Sequence, residues 1–570
     1  MARCFERVLQ TGSEIMTRKR VLLCSLLFSL LYVIPIAVFN KGLNGADLSF
    51  HLNRLLGMEG IYASPINFRA FYGIGLGVNY FYPFLTYYPF FVLYRLSHSV
   101  FLGYYIYQYL LTIITFLIAY YSISNILVVE NKGAKKDFAG LLFATLYTFS
   151  LYRLDNIVIR FATGEFIAYA FIPLVFYGLF VILKGDYRKW YILSIGMSLI
   201  AYSHLISLLL TGLLVGFIFI TTFGFVNSKK ERLVSFIVAV LSTISIFAFQ
   251  LVLMGEQTLS NAIVKPQGVS LNATVHSLKD LLLNLNFDNN YTLPGFLIII
   301  CLLVSLIGVF RLQKYDVLIF ILTLILIILE SPLIHWPENN EHVVSSIQFI
   351  WRLNNFITLF TAYLASKVFV SFTLRKGYLI AVLIGVIGLT TFFTVSQARK
   401  TVEGPQTSFN NMPKEKLLPV VTNRDYHATD YMLKTDGSIS DYDAFQRKLR
   451  HEVINLQNNQ VVKAKMSVSS LKTNFEVISD KNLTVSLPVY AYKGIAVDLD
   501  GQKTEFKKAP DSGVELVIPK GKHQIAVSYQ YTVIAKSFFV ISMLSVLAVI
   551  LYGGYTYRSE LINSKKREQV

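Results

Sequence analysis

Runs of about 20 apolar residues recur along this chain of 570 residues, and each run is long enough to cross a bilayer as a helix. Charged residues make up only 15% of the chain, whereas soluble domains carry about a quarter. Too little polar surface is therefore available to cover a soluble particle of this size. The sequence predicts a multi-pass α-helical membrane protein.

The apolar runs predict twelve spanning helices, at residues 21–39, 101–128, 137–151, 166–184, 190–206, 208–226, 233–254, 293–311, 315–331, 353–374, 377–396 and 533–553. Arg18-Lys19-Arg20 precede the first run, so the N-terminus is predicted to be cytoplasmic. With this orientation nearly every basic loop, and the basic tail after Arg558, also falls on the cytoplasmic side. Topology thus explains the net charge of +18, and no nucleic-acid partner is expected.

Three regions are predicted. Residues 1–396 form the membrane domain, residues 397–532 form an extracytoplasmic β-rich domain, and residues 533–570 form the last span with its tail. Within the membrane domain, Pro83 and Pro89 make the first outer loop (about 41–100) interfacial or re-entrant rather than a through-going helix. In the outer domain, alternating residues predict strands at 482–488, 495–499, 514–519 and 524–531, with a hairpin turn at Asp500-Gly501.

The first outer loop carries a group of ionisable residues close to the membrane. If residues 47–54 are helical, Asp47, His51 and Arg54 lie at positions i, i+4 and i+7 and share one face. Such a group could supply a base and an anion-binding site. Alternatively, Asp47 belongs to the first turn of the helix, where a carboxylate is favoured in any case, and the other two residues face lipid headgroups.

A second group consists of Arg153, Arg160 and Glu165. The planar guanidinium of arginine donates two hydrogen bonds at once and suits phosphate. The alternative is a local ion pair between arginine and carboxylate that fixes the loop.

Further outer candidates are Arg69, His204 and Arg352. Basic residues on the outer face run against the positive-inside rule and so require another explanation. For Arg352 the alternative is an interfacial anchor together with Trp351, and a lone histidine such as His204 is more often a packed group than a ligand.

The sequence assigns no cofactor. Its three cysteines, Cys4, Cys24 and Cys301, form no metal-binding pattern, and no nucleotide-binding motif is present. No metal site is predicted, although a divalent cation remains compatible with the sequence.

Short motifs in the same order and spacing resemble the YfhO-type membrane proteins, of the GT-C class of polyprenyl-phosphate-dependent glycosyltransferases. The matching segments are 46–54, 77–83, 160–165 with Pro173-Leu174, Ser203-His204, 348–352, 487–490 and Asp500-Gly501. The resemblance implies a GT-C-like fold and an inverting transfer of a sugar from a polyprenyl-phosphate donor, commonly undecaprenyl, to an envelope polymer such as lipoteichoic acid. It also implies a bacterial cell membrane, here expected to be Gram-positive.

In the GT-C class a carboxylate in the first outer loop acts as the catalytic base, and Asp47 occupies that position, with His51 beside it as a second catalytic candidate. The developing charge on the phosphate would be stabilised by arginines, for which the candidates are Arg54, Arg153, Arg160 and Arg352. The chain departs from the class in one respect, because Asp47 has no acidic neighbour, which puts an acid pair in question.

Two other functions use the same features. A flippase for lipid-linked saccharides would need polar groups deep within its spans, where only Gln108, Gln250 and Lys367 are candidates and none has an obvious pair. A non-catalytic assembly protein would bind partners through the outer domain and would not depend on Asp47.

Overall fold

The computed structural model describes residues 17–39, 43, 45–130, 135–264, 269–283, 293–337, 347–372, 376–403 and 430–568. Its helices are α1 Arg18–Phe39, α2 Leu48–Leu56, α3 Val78–Phe81, α4 Tyr88–Ser97, α5 Val100–Val129, α6 Lys136–Thr148, α7 Leu151–Val158, α8 Thr163–Tyr169, α9 Ile172–Leu183, α10 Tyr191–Ala201, α11 Leu205–Phe223, α12 Lys229–Ser260, α13 Leu278–Leu283, α14 Phe296–Ile307, α15 Lys314–Glu330, α16 Asn354–Ser371, α17 Lys376–Glu403, α18 Asp441–Leu449 and α19 Val533–Glu568.

Eight helical segments within the described residues are long and apolar enough to cross a membrane. They are Arg18–Phe39, Val100–Val129, Thr163–Leu183, Leu205–Phe223, Lys229–Ser260, Ile350–Ser371, Gly377–Arg399 and Val533–Glu560. The remaining predicted spans correspond to the shorter helices α6, α10, α14 and α15. The protein is therefore a multi-pass membrane protein, and its total of twelve spans stays a prediction.

The first outer loop contains short helices instead of a span, as the prolines predict. Helix α3 has four residues, and the ten-residue helix α4 has Pro89 in its first turn. Proline fits there because the first helical residues lack an intrahelical acceptor for their N–H groups. Neither helix is long enough to cross a bilayer.

The C-terminal region folds into two five-stranded antiparallel sheets. The strands are β1 Val453–Asn455, β2 Gln460–Val462, β3 Ala464–Val468, β4 Lys472–Ser479, β5 Leu483–Tyr490, β6 Ile495–Leu499, β7 Gln502–Thr504, β8 Lys507–Lys508, β9 Gly513–Ile518 and β10 Gly521–Tyr529. The sheet orders are β2-β1-β5-β9-β8 and β3-β4-β10-β6-β7. Asp500 and Gly501 both have positive φ (53° and 82°) and join β6 to β7, which confirms the predicted hairpin turn.

The strand domain packs on the first outer loop. Ile66, Phe68 and Ile74 are buried in one hydrophobic core with residues of β4, β5 and β10. The N–H of Tyr490 donates to the carbonyl of Ile74 at 3.1 Å. Gly75 has a φ of +67°, and its missing side chain leaves room for Val489. The membrane and strand domains therefore meet through residues 66–81.

Lys367 corrects an expectation from the sequence, since it is paired. Its Nζ lies 2.7 Å from a carboxylate oxygen of Asp316 and 2.7 Å from one of Glu130, and all three side chains are buried. Tyr363 adds a hydrogen bond to Asp316 at 2.6 Å. This buried cluster joins the C-terminal end of α5, the N-terminal end of α15 and helix α16.

Candidate functional site

Helix α2 brings His51 and Arg54 into contact, and Asp47 directly precedes the helix. Asp47 occupies the position before its first turn, but its carboxylate makes no capping hydrogen bond. The backbone N–H of Asp47 instead donates to the carbonyl of Arg160 at 2.9 Å. The first two groups of outer polar residues therefore form one site, although they lie more than 100 residues apart in the chain.

His51 is held in a defined tautomer. Its Nδ1 lies 3.2 Å from Nη1 of Arg54 and 2.7 Å from the hydroxyl of Thr163. Because a guanidinium can only donate, Nδ1 must accept, and the proton of the neutral ring resides on Nε2. Burial lowers the pKa of His51 well below its usual value, and Arg54 and His204 lower it further. The imidazole is therefore neutral, and its Nε2–H is a hydrogen-bond donor.

Arg54 is almost fully buried, with 1% of its surface exposed. Its guanidinium lies over the rings of Tyr82 (3.9 Å) and Tyr87 (4.8 Å) and donates to the carbonyl of Pro83 at 2.9 Å. These contacts lock Arg54 into the protein on both faces. They indicate that it positions His51 and Tyr82.

Glu165 joins the second group of outer residues to Arg352 through hydrogen bonds to neighbouring side chains. It lies in the first turn of α8, where the helix dipole favours a carboxylate. Its Oε2 accepts from Arg160 (3.2 Å) and from Nε of Arg352 (3.2 Å). Its Oε1 accepts from the hydroxyl of Tyr152 (2.6 Å) and the amide of Asn355 (3.2 Å). Both arginines are thereby fixed in place by a single buried carboxylate.

The contact between Arg352 and Glu165 shows that Arg352 is not only an interfacial anchor. Arg352 is buried, and besides Glu165 it donates to the carbonyl of Ile347 and to Gln348. Phe349 and Trp351 stack on each other with ring centroids 4.5 Å apart. The guanidiniums of Arg352 and Arg160 lie 5.1 and 5.8 Å from the Phe349 ring. An aromatic wall thus lines one side of the paired arginines.

Asp47 completes the site on its accessible side. Asp47 is an exposed residue, although neighbouring protein atoms surround its carboxylate, whereas Glu165 is fully buried. Loss of hydration raises the pKa of Asp47 above its ordinary value, while the positive charges of Arg160 and Arg352 act against this rise. The arrangement pairs the carboxylate of an exposed residue with a fixed positive potential, which is suited to a base that works beside an anionic group.

Tyr82 is a central residue that sequence reasoning did not single out. Its ring packs against Arg54 and lies 5.7 Å from His51 and 6.0 Å from His204. Burial raises its pKa to about 12, so the phenol keeps its proton. A side chain at Gly164 would overlap the Tyr82 hydroxyl, so this glycine allows the close approach. The signal in the sequence is the Tyr-Phe-Tyr-Pro stretch at 80–83, which predicts an interfacial or partly re-entrant segment.

Two of the predicted residues have their partners elsewhere. Arg153 is buried within the helix bundle, where it donates to the carbonyl of Thr148 and the hydroxyl of Thr112. Arg69 forms an exposed ion pair with Glu59 at 3.3 Å. His204 lies at the edge of the site, where its Nδ1 is 2.9 Å from the hydroxyl of Ser207 at the start of α11.

The four arginines predicted to bind phosphate thus differ in accessibility. Arg153 and Arg54 are almost fully buried, and the Arg352 side chain is 6% exposed. The Arg160 side chain is 12% exposed, and it lies beside Asp47. Arg160 is therefore the best placed of the four to meet a ligand.

The described part of the chain contains no group of three or more His, Cys, Asp or Glu side chains that could hold a metal ion. Cys24 and Cys301 are both buried, and Cys4 lies outside the described residues.

Comparisons with known proteins give few matches. No family model matches the chain, and no curated protein matches it. Among solved structures, the arabinofuranosyltransferase AftD from Mycobacteria aligns with 70% of this chain at 13% identity and a TM-score of 0.44. A mutant of the same protein aligns with 68% at a TM-score of 0.41. Both alignments cover 28% of that much longer chain.

Proposed function

We propose that this protein is a GT-C-type membrane glycosyltransferase of the YfhO kind, which moves a sugar from a polyprenyl phosphate to an envelope polymer on the outer face of the membrane. The observation that carries the proposal is the juxtaposition of the accessible Asp47 with Arg160 and Arg352, which Glu165 holds in place. This site lies at the ends of membrane-spanning helices. The phosphate of a lipid-linked donor would lie at the same depth, at the surface of the membrane.

In the proposed reaction, a hydroxyl of the acceptor gives its proton to the Asp47 carboxylate. The acceptor oxygen attacks the anomeric carbon of the donor sugar, and the bond between that carbon and the phosphate oxygen breaks. Its electron pair leaves with the polyprenyl phosphate. A single displacement of this kind inverts the anomeric configuration. A positioned general base contributes about 10²–10⁴-fold to such a step.

Arg160 and Arg352 would stabilise the charge that develops on the leaving phosphate. Since Glu165 has already fixed both guanidiniums, little reorganisation is needed when that charge appears. Arg160 is the more accessible of the two and is our candidate for direct contact with the phosphate.

His51 and Arg54 would serve chiefly to position other groups. Nδ1 of His51 is occupied by two donors, so His51 is unsuited to take up a proton there. Its Nε2–H can donate a hydrogen bond to substrate or to a neighbouring group. Asp47 is left as the base.

The test is sugar transfer in membranes that carry either the wild type or Asp47→Asn, with radiolabelled polyprenyl-phosphate sugars as donors and equal expression checked by blotting. Asp186→Asn, which alters an exposed ion pair with Arg188, is the matched control. We expect transfer of label to envelope polymer by the wild type and the control, and not by Asp47→Asn.

Equal transfer by all three proteins would remove Asp47 from the mechanism. If the wild type transferred no label from any donor, the glycosyltransferase proposal would fail, and a flippase or a non-catalytic assembly protein would replace it.

A further inference from the structure

The strand domain contributes a residue to the edge of the site. Tyr431 is the second residue of the described C-terminal segment, and its ring stacks on Phe81 with centroids 5.2 Å apart and planes 5° apart. Phe81 directly precedes Tyr82, whose ring packs on Arg54. Tyr431 therefore packs on the immediate neighbour of Tyr82, although almost the whole membrane domain separates Tyr431 and Tyr82 in sequence.

Tyr431 is held firmly in this position. Its N–H donates to the carbonyl of Val264 at 3.0 Å, and its carbonyl accepts from the hydroxyl of Tyr492 at 2.6 Å. Its backbone has a φ of +68°, which is unusual for an aromatic residue. Unfavourable backbone conformations of this kind persist where the surrounding structure imposes them, and they are frequent at functional sites.

The charged groups of the site affect the pKa of Tyr431. Burial raises the pKa of its phenol, Tyr82 and Asp430 raise it further, and the guanidiniums of Arg54 and Arg352 lower it. The phenol thus lies within electrostatic range of both halves of the site and stays protonated at neutral pH. The residue as a whole is partly exposed. A protonated phenol can donate a hydrogen bond to an oxygen and accept one from a hydroxyl.

We propose that Tyr431 is a binding residue for the acceptor saccharide, supplied by the C-terminal domain. The inference rests on the proposed function. A lipid-linked donor would reach the site from the spanning helices, whereas Tyr431 packs on the core of the strand domain and stacks on Phe81, the neighbour of Tyr82. A ligand that contacts Tyr431 therefore approaches from the water side, and in this reaction that ligand is the hydroxyl-bearing acceptor.

The experiment uses full-length protein in proteoliposomes, with purified lipoteichoic acid as acceptor and the undecaprenyl-phosphate sugar that the wild type accepts. Tyr431→Phe removes the hydroxyl and keeps the ring that stacks on Phe81. The matched control is Tyr442→Phe, because Tyr442 is 59% exposed on α18. We expect Tyr431→Phe to raise the KM for acceptor about three- to tenfold, as the loss of one hydrogen bond would. The KM for donor should not change.

A second variant tests the positioning of Tyr431. Tyr492→Phe loses the hydrogen bond to the Tyr431 carbonyl and should also raise the KM for acceptor, without changing the KM for donor. An unchanged KM for acceptor in Tyr431→Phe, or a rise in the KM for donor instead, would overturn this inference and leave the proposed function standing. If the wild type transferred no sugar, the proposed function would fail and this inference with it.

Discussion

Oε2 of Glu165 lies 3.2 Å from Nε of Arg352, although the two residues are 187 positions apart in the chain. The same oxygen lies 3.2 Å from Nη1 of Arg160. One buried carboxylate therefore neutralises part of two positive charges and sets their separation. If these arginines hold a phosphate, the geometry of the phosphate site depends on a residue that need not touch it.

Replacing Glu165 by glutamine should reduce sugar transfer strongly. The amide keeps the size of the side chain but removes the charge, so two buried guanidiniums lose their counter-ion. We expect kcat/KM to fall at least about tenfold, which corresponds to about 1.4 kcal/mol. Glu59→Gln, which alters the exposed pair with Arg69, should leave transfer almost unchanged. Equal activity of the two variants would show that Glu165 does not organise the site.

Gly164→Ala should impair the site through Tyr82. A Cβ at position 164 would overlap the Tyr82 hydroxyl and push the phenol away from Asp47 and Arg54. We expect a drop in kcat with little loss of protein in the membrane. Gly385→Ala is the control, because a Cβ there meets nothing within 4 Å. Full activity of Gly164→Ala would mean that the position of Tyr82 is unimportant.

The pH dependence of transfer should report on Asp47. The base must be ionised, so kcat/KM falls as the pH drops through its pKa, and this pKa is raised above the ordinary value. We therefore expect activity to decline at a higher pH than for an ordinary aspartate. In Arg160→Gln the decline should move to still higher pH, because a positive charge that lowers the Asp47 pKa is lost. A profile that Arg160→Gln does not shift would argue against Asp47 as the base.

Lys367→Met should destabilise the fold without touching the site. Two buried carboxylates, Asp316 and Glu130, would lose their cation, and breaking a buried pair in this way costs about 3–5 kcal/mol. We expect a clear fall in the Tm of the purified protein. Lys189→Met removes a more exposed pair with Glu560 and should cost no more than about 1 kcal/mol. A Tm shift no larger than that of this control would contradict the account of the cluster.

Much of this arrangement of residues is predictable, because helical spacing and membrane topology are both readable from the sequence. The spacing of Asp47, His51 and Arg54 placed them on one helix face, and their outer position grouped them with Arg160, Glu165 and Arg352. Neither the spacing nor the outer position distinguishes Arg153, which is buried in the helix bundle, from Arg160, which lies in the site. Arg153 lies inside α7 and points into the bundle, whereas Arg160 follows the end of that helix, just before Phe161 reverses the chain at a φ of +55°.

Contacts between distant segments could not be predicted in the same way. The partners of Lys367 lie on two other helices, 51 and 237 residues away, so the local sequence gives no sign of them. Tyr82 and Tyr431 look like ordinary interfacial or domain tyrosines until the packing of the strand domain on residues 66–81 is known. The strands themselves were predictable because alternation and the Asp500-Gly501 turn are local signals.

The most direct test of the central claim is the stoichiometry of the reaction in proteoliposomes, measured as polyprenyl phosphate released for each sugar transferred. We predict a ratio near one for the wild type and a rate at least about 100-fold lower for Asp47→Asn, the lower limit expected for loss of a general base. A wild-type rate in Asp47→Asn, or movement of intact lipid-linked sugar across the bilayer without release of polyprenyl phosphate, would contradict the account.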